Sequence, residues 1–167
     1  MRLFFAVWPS PRTAQALGAW AAEVHESSGG KVTRTENIHL TLAFLGEADP
    51  TRAIGAAQPL TGRRHALPID AARYWKDNKI VWVGPARMPE DLGELAARLH
   101  KALRSAGFTL EERPFAAHIT LIRKARVPTS IPPLPKIDWP VNEFLLMQSR
   151  TSPQGSTYEP LARFALT

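Results

Sequence analysis

Apolar residues run without a break from Leu3 to Trp8, and the aromatic and β-branched content of residues 2–8 predicts a strand. Pro9-Ser10-Pro11 closes it, with Ser10 placed to cap a helix and Pro11 in that helix's first turn. Ala14, Leu17, Ala21 and Val24 then recur at three- and four-residue spacing beside Trp20, and Gly29-Gly30 ends the pattern. A short extended stretch over residues 32–35 leads to a strand over 38–44, stopped by Gly46. Asp49-Pro50 opens an Ala-rich helix to about Leu60, and the segments ALPIDAARYW and KIVWVG read as two strands around the turn-like KDN.

The order then repeats. The strand at 80–84 runs through Pro85 and Pro89 into a helix whose Leu92, Leu95, Ala96, Leu99 and Leu103 form one stripe, ended by Gly107. RPFAAHITLIRK supplies the next strand. Strand, helix and a strand carrying His-x-Thr-Leu thus occur twice in the same order, which reads as an internal duplication of architecture. The tail differs: TSIPPLPKI is a Pro-rich loop, and residues 142–166 read as two strands joined by SPQGS.

The repeated motif carries the chemistry. Side chains alternate on a strand, so His39 and Thr41 share one face while Leu40 and Leu42 turn to a core; His118 and Thr120 are related in the same way. Two such faces across a cleft would set two imidazoles on opposite sides of one phosphorus, a base behind the attacking oxygen and an acid behind the leaving one. At an unperturbed pKa of about 6.5 neither histidine needs large tuning. The threonine hydroxyls would hold the non-bridging oxygens, and the scheme requires no metal. Arg123 could add a charge-assisted donor, but strict alternation groups 118, 120 and 122, so Arg123 needs a bulge or the strand end to face the cleft. Lys124 and Arg126 fit a solvated strand end. Taken singly, a His-x-Thr on a strand is commonplace; two copies among five histidines are not. His25, His65 and His100 have no partner motif and are assigned to surface or packing. The five tryptophans, at 8, 20, 75, 82 and 139, are scattered, which favours core positions for most of them. Tyr158 and Phe5 are candidates to line the cleft, although core packing is the default for both.

Composition narrows the setting. The 167 residues fit one domain over 1–167 or two small lobes sharing a core, and 21 Lys plus Arg against 15 Asp plus Glu give +6, which favours polyanionic partners. Absence of cysteine excludes disulfides, thiolate nucleophiles and Cys-based zinc sites and agrees with a cytoplasmic protein. The apolar run at 3–8 is too short for a signal region or a membrane span.

HLTLAFLG and HITLIRKA, with RLFFAVWP, TENIHLTLAFLG, RPFAAHITLIR and SRTSPQGSTYEPL in the same order, resemble the 2H phosphoesterase superfamily, in particular its bacterial and archaeal RNA 2′,3′-cyclic phosphodiesterases, also called 2′-5′ RNA ligases. One departure is Ala117, where the family usually has proline. The resemblance implies an α+β, bilobal fold: two pseudo-symmetric lobes, each an antiparallel sheet flanked by helices, with the motifs facing in a central groove. It implies His39 as proton donor to the departing ribose oxygen, His118 as proton acceptor activating water, Thr41 and Thr120 as phosphate ligands, and Arg123 in the position of the family's arginine. Tyr158 stays a substrate-binding candidate. The implied substrate is an RNA or oligonucleotide end with a 2′,3′-cyclic phosphate, opened to a 2′-phosphomonoester without a cofactor by a monomer, with 2′-5′ ligation as the reverse. Three rivals remain: a non-catalytic RNA-binding module, a zinc hydrolase, for which His-x-Thr lacks a third ligand, and a superfamily relative acting on small cyclic phosphates or nucleotide-sugar derivatives.

Overall fold

The computed structural model describes residues 1–167. Strand β1 (Arg2–Val7) leads through Ser10, whose hydroxyl accepts from the Thr13 amide at 3.2 Å, into α1 (Pro11–Ser28), as the Ser-Pro signal predicts. The short β2 (Lys31–Val32), a 3-10 turn at Thr35–Asn37 and β3 (Leu40–Glu47) follow. The first motif strand therefore starts later than expected and runs past Gly46. Helix α2 (Pro50–Ala57), capped by Asp49, is shorter than expected; β4 (His65–Ala66), β5 (Ala71–Trp75) and β6 (Ile80–Gly84) lead to α3 (Glu90–Ser105). The second motif strand, β7 (Ile119–Arg123), begins only at the residue after His118. After the Pro-rich loop, β8 (Pro140–Val141), β9 (Glu143–Ser152) and β10 (Gly155–Ala165) complete the chain.

Two four-stranded antiparallel sheets result, in the orders β10-β9-β1-β3 and β2-β7-β6-β5, with β4 and β8 as a separate pair. This is the expected α+β bilobal arrangement. The motif strands occupy corresponding places: β1 pairs with β3, and β6 with β7. The lobes are not simply the two halves of the chain, because β2 joins the second sheet and the β9–β10 hairpin joins the first. Helix α1 comes against β2 and β7, and α3 against β3, so each motif strand is backed by a helix from the other half.

One continuous core binds these pieces. Leu40 and Leu42 on β3, and Ile119 and Leu121 on β7, are essentially fully buried, together with Leu17 and Val24 of α1 and Leu92, Leu95 and Leu99 of α3. Each such side chain contributes about 1.5–3 kcal/mol of burial, which fixes the depth and tilt of the motif strands and hence of the residues on their other face. Phe5 belongs here. Fully buried, with its ring centroid 6.0 Å from those of Phe144 and Phe164, it does not line the cleft; its neighbour Phe4 points the other way, toward His39.

Candidate active site

His39 and His118 each sit one residue ahead of a motif strand and are oriented by the same device. His39 Nδ1 lies 2.7 Å from the Asn37 carbonyl, and His118 Nδ1 lies 2.9 Å from the Ala116 carbonyl, so each ring binds the backbone two residues upstream. A carbonyl only accepts, so Nδ1 carries the proton in both rings and Nε2 is left for chemistry. His39 Nε2 is 3.0 Å from Thr41 Oγ1. Thr41, Thr120, Arg123 and Tyr158 join both histidines around one cleft of about 270 Å³, with Lys31, Arg34 and Asn37 at its rim. His39, His118, Thr41, Thr120, Arg123 and Tyr158 thus line one cleft, whereas Phe5 is in the core.

Arg123 reaches the cleft through the bulge that alternation demands. Trp82 pairs with Thr120 and Val81 with Ile122, leaving Leu121 unpaired. Leu121 and Ile122 are both buried, and Arg123 returns to the side of Thr120. The first motif repeats this geometry: Ala6 pairs with Thr41 and Phe5 with Ala43, leaving Leu42 unpaired. Leu42 and Ala43 are buried, and Phe44 occupies the place that Arg123 holds in the second copy. Each bulged carbonyl is satisfied from outside its strand pair. The Thr33 amide donates to Leu121 O at 2.8 Å, and His100 Nε2 lies 2.7 Å from Leu42 O. His100 therefore has a specific supporting contact rather than a generic packing place.

Two glycines admit the backbone that holds the second motif. A Cβ on Gly30, at φ +88°, would stand 2.4 Å from the Arg123 carbonyl, and one on Gly84 would meet the Ala117 carbonyl at 2.8 Å.

The tryptophans correct the sequence expectation. Trp20 and Trp139 are core, but Trp8, Trp75 and Trp82 are only partly buried and pack on the histidines. Trp8 stacks on His39 at 4.7 Å and 10°, held by its indole N–H donating to Glu36 O at 3.2 Å; Tyr158 meets the same imidazole edge-on at 5.3 Å. Trp75 lies 4.7 Å from His118, and Trp82 lies 6.1 Å from it. Scatter along the sequence concealed two clusters in space.

That aromatic box also overturns the expectation that neither histidine is strongly tuned. Burial lowers the His39 pKa from 6.5 to about 4, against the raising effect of the Asn37 carbonyl and with smaller lowering contributions from Arg123 and His118. His39 is neutral at pH 7 in the free protein, its Nε2 accepting from Thr41. No group of three or more His, Cys, Asp or Glu side chains is gathered as a metal site.

The model for the LigT-like phosphoesterases matches twice, over residues 7–82 and 83–158, each match containing one motif. The chain belongs to the LigT-like phosphoesterase family. The doubled match within this family agrees with the repeated order of elements. An RNA 2′,3′-cyclic phosphodiesterase of Escherichia coli is 36% identical over 172 residues, covering 99% of this chain and 97% of its own. A protein of that name from Thermus thermophilus is 31% identical, covering 99% and 90%. Among solved LigT-like structures, Escherichia coli LigT complexed with 3′-AMP superposes with a TM-score of 0.92 at 33% identity, covering 99% of this chain and 98% of that one.

Proposed function

We propose that this LigT-like phosphoesterase is a metal-independent RNA 2′,3′-cyclic phosphodiesterase in which residues 1–167 work as one unit around the paired histidines. The carrying observation is that two imidazoles, oriented alike by backbone carbonyls, share one cleft with two motif threonines and an arginine. The basic rim of Lys31 and Arg34 suits an RNA end, and the full-length likeness to named RNA 2′,3′-cyclic phosphodiesterases supports the substrate class.

In the proposed reaction a water oxygen attacks phosphorus while its proton passes to His118 Nε2. The bond from phosphorus to the ribose 3′-oxygen breaks, and that oxygen takes a proton from His39 Nε2, leaving a 2′-phosphomonoester. Thr41, Thr120 and Arg123 donate to the non-bridging oxygens. His39 is neutral in the empty cleft, so protonation accompanies substrate binding: the phosphodiester anion favours the imidazolium, and Thr41 exchanges its bond to Nε2 for one to phosphate. Approach of a 5′-hydroxyl in place of water gives 2′-5′ joining by the same displacement: the 5′-oxygen bonds to phosphorus and gives its proton to His118, and the bond to the 3′-oxygen breaks as before. The working form in this reading is a cytoplasmic monomer; no helix is long and apolar enough to cross a membrane.

Phosphorus NMR of a dinucleotide ending in a 2′,3′-cyclic phosphate, incubated in EDTA, tests the reading. Wild type should give the 2′-phosphate and His118→Ala should not. Conversion by both proteins, or by neither, would overturn it.

A further inference from the structure

Beyond the aromatic wall that covers His39 lies a cavity of about 500 Å³, within the size range of small-molecule sites. Trp8 lines it without lining the cleft, and Tyr158 lines both. Trp8 thus stands between this cavity and His39, on which it stacks at 4.7 Å. Leu145 and Met147, on the same face of the first sheet as Phe4, supply apolar wall. His118, Trp75 and Trp82 do not reach the cavity, which therefore belongs to the His39 side of the reacting position.

On the reading above, that side is where the RNA chain runs. His39 protonates the 3′-oxygen of the terminal ribose, so the nucleotides 5′ to that ribose leave the cleft past His39, while water approaches from His118. We infer that the cavity receives the base of the penultimate nucleotide of the RNA, the one immediately 5′ to the cyclic-phosphate end, with Arg34 holding the phosphate that joins the two nucleotides. The inference rests on the proposed roles of the two histidines.

The charges sort the parts of a nucleotide between these places. The cavity wall carries Glu36 and Glu143 against one cation, Arg163, which Glu143 holds at 2.6 Å. That excess of carboxylate turns a phosphate away but admits a neutral planar ring. Trp8 and Tyr158 offer it aromatic surface, and Asn142 with the carboxylates offers hydrogen-bond partners to its edge. Arg34 stands where the phosphate is needed. It lines the cleft, and its Nε lies 3.8 Å from the carboxylate of Glu36, which lines the cavity, so it spans the boundary between the two. Nη2 donates to the Ser156 carbonyl at 2.6 Å, which fixes the guanidinium. The side chain is still 46% exposed, and its other N–H groups face an incoming anion. The consequence is a preference for oligonucleotide ends over nucleoside cyclic phosphates.

The test compares three substrates in wild type and Asn142→Trp: a nucleoside 2′,3′-cyclic phosphate, a dinucleotide ending in a 2′,3′-cyclic phosphate, and the same dinucleotide without its first base. Asn142 is exposed on the cavity wall and outside the cleft, and an indole there fills the cavity. Stacking of one base contributes on the order of tenfold in binding, so wild-type kcat/KM should be roughly tenfold higher on the dinucleotide than on its abasic form, with the nucleoside cyclic phosphate lowest. Asn142→Trp should bring the dinucleotide down to the abasic form and keep the nucleoside cyclic phosphate within about twofold of wild type, which also reports that the variant is folded. Arg34→Ala should erase the advantage of the abasic dinucleotide over the nucleoside cyclic phosphate. Equal wild-type kcat/KM on the dinucleotide and its abasic form would overturn the base site whether or not the variant folds, as would a folded Asn142→Trp that keeps the full difference. An abasic dinucleotide no better than the nucleoside cyclic phosphate in wild type would overturn the role of Arg34. A wild type that hydrolyses none of the three would overturn the phosphodiesterase reading beneath them.

Discussion

Thr120 and Arg123 face the same cleft because Leu121, between them, has no partner on β6. A regular strand would have sent the guanidinium to the opposite side. Arg123 is therefore part of the site by virtue of backbone geometry, and its planar fork can hold two phosphoryl oxygens at once.

Removal of that fork should be felt in the transition state. Arg123→Ala is expected to lower kcat/KM on a cyclic-phosphate dinucleotide by about 10²–10³, the usual effect of losing one preorganised donor, and Arg123→Lys should fall between. Steady-state kinetics decides this. Wild-type kcat/KM in Arg123→Ala would show that the arginine faces the cleft without gripping phosphate.

The difference between what the chain reveals and what it conceals follows from the range of the interactions. His39, Thr41, His118 and Thr120 were legible because a two-residue alternation is local, and the duplicated order of strand, helix and motif implied two matched lobes. Ser10 and Asp49 announced their helices through side-chain contacts within a few residues. The bulges at Leu42 and Leu121 were not legible as such, since an unpaired residue is defined by the opposite strand; only Arg123's awkward parity hinted at one. Trp8, Trp75 and Trp82 were misplaced for a related reason. They are 67 or more positions apart between the clusters they form, and only the folding of β1, β5 and β6 beside the motif strands brings them to the histidines.

The two histidines should behave as one device. His39→Ala and His118→Ala are each expected to remove most of the activity while leaving the fold intact, and the double variant should be little worse than either single one. Activity of the wild type should persist in excess EDTA. Additive losses across the mutant cycle, followed by single-turnover assay, would mean that the imidazoles act in separate steps.

His100 supports the first motif from a distance. Its Nε2–H meets the Leu42 carbonyl at 2.7 Å, and its ring stands edge-on to Phe115 at 6.0 Å. His100→Phe leaves a carbonyl beside the buried Leu42 and Ala43 without that donor, a loss expected to cost about 1–3 kcal/mol of stability. Urea denaturation monitored by tryptophan fluorescence would register it as a lower midpoint. A midpoint equal to wild type would mean that the bulge is held by strand pairing alone.

Burial of His39 against Trp8, Phe4 and Tyr158 makes it one source of acid sensitivity in the protein. Burial holds His39 at a pKa of about 4 in the folded state, whereas the unfolded chain returns it to about 6.5. Between these values the unfolded state binds the extra proton, so stability declines as pH falls from about 6.5 to about 4 and levels off below. The shift corresponds to about 3 kcal/mol from this one group, and His39→Asn should show a correspondingly flatter acid decline in denaturant titrations. Trp8→Ala, by letting water reach the imidazole, should move the folded pKa back toward 6.5, read directly from the ring proton shifts in NMR. The same titration has a kinetic face: one limb of kcat/KM should lie near pH 4, and the corresponding limb of kcat should lie higher, because the bound phosphodiester favours the imidazolium. A His39 resonance titrating near 6.5 in the free wild type would remove the basis for both effects and return the pair to two untuned histidines.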